Sequence, residues 1–344
     1  MTLPSAQGAR GAGPGPNGPK RLGVLGTLVW DVIHQRDGRA VALEEWGGLA
    51  YALSAVSAAL PEGWVAVPLI KVGRDRSESA LRFLRGLPGL ELETGVRVVP
   101  ETNNRVELRY VDRERRTEHL TGGVPAWSWS ELAPLARSCD ALYVNFISGF
   151  EMELDAARAL RASFPGPTYA DLHSLFLGLG ARGLRIPQEL PAWGAWLRCF
   201  DAVQMNEAEF ELLGRAWGDP WALAAHVVGP ELKMIAVTLG ERGAAWVTAP
   251  GFSPEPSTWP ARRHGLGEAG AAESGRCGLQ ETPCEGDPTG CGDVWGATAF
   301  ARLLAGDPLG IAFARANTAA GRNVTHRGAA GLRAHLLGRL SGTL

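Results

Sequence analysis

Short apolar and β-branched runs alternate with helical patterns along most of this chain. Leu22 to Leu25, Val65 to Ile70, Ala141 to Phe146, Thr168 to Asp171, Ala202 to Met205 and Ile235 to Thr238 read as buried strands. Helical spacing follows most of them, in Leu49 to Leu60, Ser77 to Leu84, Ser128 to Arg137, Leu154 to Ser163, Glu207 to Leu213 and Pro220 to Val228. This alternation predicts an α/β fold with a mostly parallel central sheet and helices on both faces. Ligands of such sheets bind beyond the carboxyl ends of the strands, where Asp31, closing the first strand, Asn206 and Thr238 are expected.

Two segments break the alternation. Val32 to Glu45, centred on Asp37-Gly38, and Arg105 to Leu120, centred on Asp112 to Arg116, look like antiparallel hairpins. Pattern alone leaves open whether they stay separate on the surface or join. Residues 1–20 are mostly Gly, Pro, Ala and Ser, too poor in apolar bulk to offset chain entropy, and read as a disordered tail. Residues 250–285 read as an irregular insertion, removable without loss of the fold. Its Cys277, Cys284 and His264 match no standard zinc spacing.

Composition narrows the class. The 344 residues fit one large α/β domain, here 21–344, with a small appendage. With a net charge of -2 and scattered Lys and Arg, no nucleic-acid footprint is visible. Five irregularly spaced cysteines and the lack of a signal peptide predict reduced thiols in a cytoplasmic protein. No apolar stretch approaches the ~20 residues of a membrane span.

The chemistry is densest at Asp287-Pro288-Thr289-Gly290-Cys291-Gly292-Asp293, which runs into the apolar, helical stretch Val294 to Leu304. Two glycines around one small residue let the backbone turn tightly and aim N–H groups at an anion, where the helix dipole already favours one. A carboxylate in the first turn, Asp293, is placed to take the proton of a hydroxyl attacking a phosphoryl group. Gly-x-Gly-Asp by itself is also an ordinary helix start, so the weight rests on the whole heptad.

That heptad resembles the Asp-Thr-x-Gly-Ala-Gly-Asp signature of the ribokinase (PfkB) family of carbohydrate and nucleoside kinases, with Pro288 and Cys291 as variants. Other segments resemble the family in the same order: Gly47-Gly48 before a helix, Asn206-Glu207-Ala208-Glu209 as its Asn-x-x-Glu, and Thr238 to Gly243 as its Thr-x-Gly-x-x-Gly. Ala-Asn-Thr-Ala-Ala around Asn317 looks like its adenine-side helix, so the resemblance spans about Arg21 to Leu340.

The resemblance implies a ribokinase-like fold, with the two hairpins, about 32–46 and 103–120, joined as a lid over the acceptor. It implies Asp293 as general base, Gly290, Cys291 and Gly292 as anion hole, and Asp31, Gly47 and Gly48 at the acceptor. Asn103, Asn104 and Arg105, with Trp30 and Trp46, are read as lining the pocket where the chain departs from the family. Asn206, Glu209, Thr238, Gly240, Gly243 and Asn317 fall on the ATP side, Glu209 reaching Mg²⁺ through water. A monovalent cation, K⁺, falls near Asp287 and Thr289, and a homodimer forms through the lid. Read without the family, Asp31 is a turn residue, Asn206 and Glu209 are a capping box, and the 240–243 glycines belong to a plain turn.

Departures bear on the acceptor. Ala52 and Val29 stand where ribokinase itself has asparagines, which disfavours ribose. Asp171-Leu172-His173-Ser174-Leu175 lacks the Arg of the Asp-x-Asn-x-Arg found in sugar-acid kinases of the family. Trp30 and Trp46 offer aromatic walls suited to a nucleoside base. The reading is an ATP- and Mg²⁺-dependent kinase acting on a hydroxyl of a sugar or sugar-like small molecule. An adenosine-type nucleoside kinase is the alternative, and a non-catalytic sugar- or nucleotide-binding regulator is the rival of another class.

Overall fold

The computed structural model describes residues 18–34, 42–110, 116–263, 270–280 and 285–339. The strands in chain order are β1 (Lys20–Leu25), β2 (Leu28–His34), β3 (Leu43–Gly48), β4 (Trp64–Gly73), β5 (Val96–Val99), β6 (Arg105–Tyr110), β7 (Arg116–Thr121), β8 (Ala141–Asn145), β9 (Thr168–Asp171), β10 (Leu177–Leu179), β11 (Arg185–Pro187), β12 (Ala202–Asn206), β13 (Met234–Thr238), β14 (Ala244–Thr248) and β15 (Glu273–Cys277). Nine of them form one sheet in the order β15-β14-β13-β12-β9-β8-β1-β4-β5. From β13 to β5 the pairing is parallel, and β14 and β15 add an antiparallel edge.

Alternation within the strands sorts side chains between two helical layers. Leu142 and Val144 of β8, Val203 and Met205 of β12, and Ile235 and Val237 of β13 face one core, with Phe146, Phe200 and Phe210. Ala141 and Tyr143, Ala202, and Met234 and Ala236 face the other, filled by Trp259, Trp295, Phe300 and Phe313. Helices Leu49–Ala59, Cys291–Leu304 and Leu309–Val324 cover that second face. Small residues such as Ala50, Ala52 and Ala297 allow the first two to lie close together, buried along most of their length.

The segments that broke the alternation join in a separate four-stranded sheet, β3-β2-β6-β7. β2 pairs antiparallel with β3 and parallel with β6, and β6 pairs antiparallel with β7. Both expected hairpin tips, at Asp37-Gly38 and Asp112 to Arg115, lie outside the described residues. The sequence reading of Asp31 as the end of the first central strand is corrected. β1 stops at Leu25, and Asp31 lies within β2 of the small sheet, opposite Glu45 and Val106. Gly26 sits at that switch, where a Cβ would strike Leu49 at 2.6 Å.

The irregular insertion is also corrected. Trp259 is 1% exposed in the core, and β15 completes the sheet edge against β14. Arg263 donates from Nε to Asp201 Oδ1 at 2.8 Å and from Nη1 to the Phe164 carbonyl at 2.7 Å. Most of the tail and both His264 and Cys284 fall outside the described residues, and among the described residues no cluster of three metal-ligating side chains occurs. Among those residues no helix is long and apolar enough to cross a membrane.

Candidate active site

The helix Cys291–Leu304 starts behind Gly290, whose φ of 77° and ψ of 0° lie in the left-handed region open to glycine. A Cβ at Gly290 would also lie 2.3 Å from the Tyr51 ring, so the turn packs directly on that buried phenol. The Cys291 N–H donates 3.1 Å to the Pro288 carbonyl and closes the turn. Its Sγ lies 3.3 Å from Asn323 Nδ2. Gly292 and Asp293 follow in the first turn, where the helix supplies no acceptor for their N–H groups. Nothing lies within 4 Å of the position of a Gly292 Cβ, so the backbone is open there to an approaching anion.

Three polar residues line up across neighbouring strands beside this helix start, and one of them bonds to Asp293. Asn145 closes β8, Asp171 closes β9 opposite it, and Gln204 lies beside Asp171 on β12. All three have the strand parity that faces the Cys291–Leu304 helix. Asn145 Nδ2 donates 2.7 Å to Asp293 Oδ1. Gln204 Nε2 donates to Asp171 Oδ2 at 2.9 Å and to the Gly292 carbonyl at 3.0 Å, tying the second carboxyl to the helix start. Burial, then the charge of Asp293, push the Asp171 carboxyl up to about 8, against the His173 amide and Gln204 that donate to its two oxygens. None of the three was expected at the site, although Asp171 opens the stretch compared with sugar-acid kinases; the sequence signal they share is a polar side chain in an otherwise apolar strand.

On the small-sheet side, the Asp31 carboxylate lies against Gly47 and is 3% exposed. Trp30 and Trp46 stand edge to face, 5.2 Å between ring centres, and the Arg76 guanidinium lies 4.1 Å over Trp30. Glu45 leaves the same sheet and reaches the Gly328-Ala329 turn, where a Cβ on Gly328 would lie 1.5 Å from Glu45 Oε2. Burial and then Asp287 push the Glu45 carboxyl up to about 7. Burial, followed by Asp31, Glu45, Asp287 and Asp293, drives the Tyr51 phenol above its usual value; four carboxylates therefore converge on one ring.

The other two expected acceptor residues are placed differently. Asn103 is buried with its side chain used up internally, accepting from Gly73 N–H and donating to the carbonyls of Leu28 and Asn104. It fastens β4 to the small sheet. Arg105 is exposed at the start of β6.

On the expected nucleotide side, Asn206 and Glu209 do form a reciprocal capping box, with Glu209 N–H to Asn206 Oδ1 at 3.0 Å and Asn206 N–H to Glu209 Oε2 at 2.8 Å. His173 Nδ1 also bonds to Glu209 Oε1. Burial opposes charge on that ring, but the Glu209 carboxylate outweighs it and holds His173 above its usual value. Thr238 closes β13, followed by the left-handed Gly240 and Gly243, and a Cβ on Gly243 would lie 2.1 Å from the Cys277 carbonyl. Asn317 spans the wall behind this turn: it accepts from Trp295 Nε1 at 2.8 Å and donates to the Cys277 carbonyl at 3.1 Å. Thr289 N–H and Oγ1 both donate to Asp287 Oδ1, at 2.9 and 2.7 Å.

Neither a family model nor a curated relative matches the sequence. Solved structures do match over nearly the whole chain. A pyrophosphate-dependent kinase of the ribokinase family, in a sulfate complex, is similar with a TM-score of 0.67 at 18% identity, covering 93% of this chain and 99% of that one. The nucleoside kinase of Burkholderia thailandensis in complex with inosine gives 0.66 at 17%, covering 93% and 96%. A putative ribokinase II from E. coli, with ATP and Mg²⁺, gives 0.65 at 17%, covering 93% and 99%. With its nine-stranded, mostly parallel sheet, helices on both faces and separate small sheet, the chain has the ribokinase-like fold.

Proposed function

We propose that this protein transfers the γ-phosphate of ATP to a hydroxyl of a sugar or sugar-like alcohol. The observation that carries the reading is Asp293 in the first turn behind Gly290, its carboxylate fixed by a buried donor and its backbone open to an anion. Asp293 accepts the proton as the acceptor oxygen attacks, and the helix-start amides, above all those of Gly292 and Asp293, stabilise charge on the transferring group. Cys291 contributes mainly the shape of the turn, its own N–H being held by Pro288. Asp31 accepts hydrogen bonds from acceptor hydroxyls, Gly47 and Gly48 admit the acceptor to the backbone, and the small sheet closes over it to exclude water.

Mg²⁺ fits Glu209 through water, because that carboxylate already serves its own cap and His173; the ion would neutralise donor phosphate charge. Thr238, Gly240 and Gly243 pass beneath the nucleotide, with Asn317 shaping the wall rather than reading the base. Oxygen donors at Asp287, at Thr289 and at the buried, unpartnered Asn323 Oδ1 suit K⁺. Homodimerisation through the small sheet belongs to the same reading and is measured by sedimentation.

The Trp30 and Trp46 pair beside Asp31 favours one second reading, a nucleoside kinase, since a base stacks on such walls. An ADP-release screen over sugars, sugar acids and nucleosides separates the two. Binding of a panel member without ADP release, unchanged by Mg²⁺ and K⁺, would replace the kinase with a ligand-binding regulator.

A further inference from the structure

We propose that Asn145 is the positioning residue of the active site, orienting the Asp293 carboxylate and keeping it ionised; this rests on Asp293 being the base. Asn145 ends an apolar strand, is 0% exposed, and its side-chain amide donates 2.7 Å to Asp293 Oδ1. Among the described residues its own Oδ1 is buried with no hydrogen-bond partner. An orphaned carbonyl at a core position is a cost, and the bond to Asp293 helps to offset it. The bond to Oδ1 fixes how the Asp293 carboxylate is turned toward the acceptor hydroxyl.

The donor also acts on the charge. Asp293 lies within electrostatic reach of Asp171, Tyr51 and Tyr143. A neutral amide that only donates to the carboxylate favours its ionised form, without neutralising the base as an ion pair would. Gln204 performs the matching task for Asp171, so strands β8 and β12 supply one carboxamide to each member of the carboxyl pair.

The test uses the full-length protein and Asn145→Leu, which keeps the volume and removes the donor, with Asn145→Ser restoring a smaller one. Carboxyl-carbon NMR of aspartate-labelled protein, with Asp293 assigned by its loss in Asp293→Asn, needs no substrate. In Asn145→Leu the Asp293 titration should move up by about one unit and turnover should fall ~10- to 100-fold, with KM values little changed. Asn145→Ser should recover part of both. An unmoved Asp293 titration in folded Asn145→Leu, or in Asn145→Ala should the leucine variant not fold, overturns the proposal while leaving Asp293 as base. Full turnover in Asp293→Asn overturns the base itself.

Discussion

Gly47 and Asp31 lie diagonally across the β2-β3 pair so closely that a Cβ on Gly47 would sit 1.6 Å from Asp31 Oδ2. The glycine is therefore the floor on which the carboxylate rests, and its place is set by a side chain rather than by backbone strain. Gly47→Ala should push Asp31 aside, cost about 1–3 kcal/mol as overpacking, and lower catalytic efficiency toward the acceptor at least ~10-fold, the scale of one charge-assisted hydrogen bond. Stabilisation by ATP, read as a thermal shift, should persist. Equal loss of both would make the contact purely structural.

Asp293→Asn tests the base. The amide keeps shape and burial but has no carboxylate to accept a proton, so turnover should fall by roughly two to four orders of magnitude while ATP binding survives. Calorimetric titration with ATP and Mg²⁺ alongside ADP release separates the two effects.

Glu45 predicts a pH dependence. Its folded carboxyl, raised to about 7, lies above the unfolded value, so its favourable contribution is complete at low pH and is lost as pH rises through about 7. Glu45→Gln lacks that loss. Relative to the wild type, the variant should gain about 1–3 kcal/mol between pH 5 and pH 8. Urea unfolding at both values measures it, and parallel curves would show that Asp287 and burial do not act on this carboxyl.

Much of the scaffold was legible because parallel strands buried on both faces, such as Ala141 to Asn145 and Thr168 to Asp171, read as plain apolar runs between amphipathic helices. The heptad at Asp287 was legible because a glycine turn, a helix start and a carboxylate coincide within it. Asn145, Asp171 and Gln204 were not, since their meaning depends on parity across three strands that only the folded sheet aligns. Asn103 misled for a related reason: an asparagine near a pocket looks functional until its amide is found bonded to backbone on both sides. Arg263 hid in a Gly- and Pro-rich stretch whose composition says nothing of the buried carboxylate waiting 62 residues away.

Arg263 carries the prediction that reverses the sequence view of its segment. Asp201 is fully buried and bonds to Arg263, Arg161 and the Thr168 amide, and those partners, outweighing burial, keep its carboxyl below the usual range. The same guanidinium donates to the carbonyls of Phe164 and Gly166, so one side chain stitches the strand ends to the 250–263 segment. Arg263→Ala leaves a buried charge and two carbonyls short of a donor, and should cost about 3–5 kcal/mol. The double variant Arg263→Met with Asp201→Asn should lose less than the sum of the two single changes, because neither Arg263 nor Asp201 is then left facing the other's missing charge. Removal of residues 252–281 deletes Arg263, the Trp259 core plug and β15 together, and should leave no cooperative unfolding transition. A deleted protein that melts cooperatively near the wild-type temperature would return the segment to the status of an appendage.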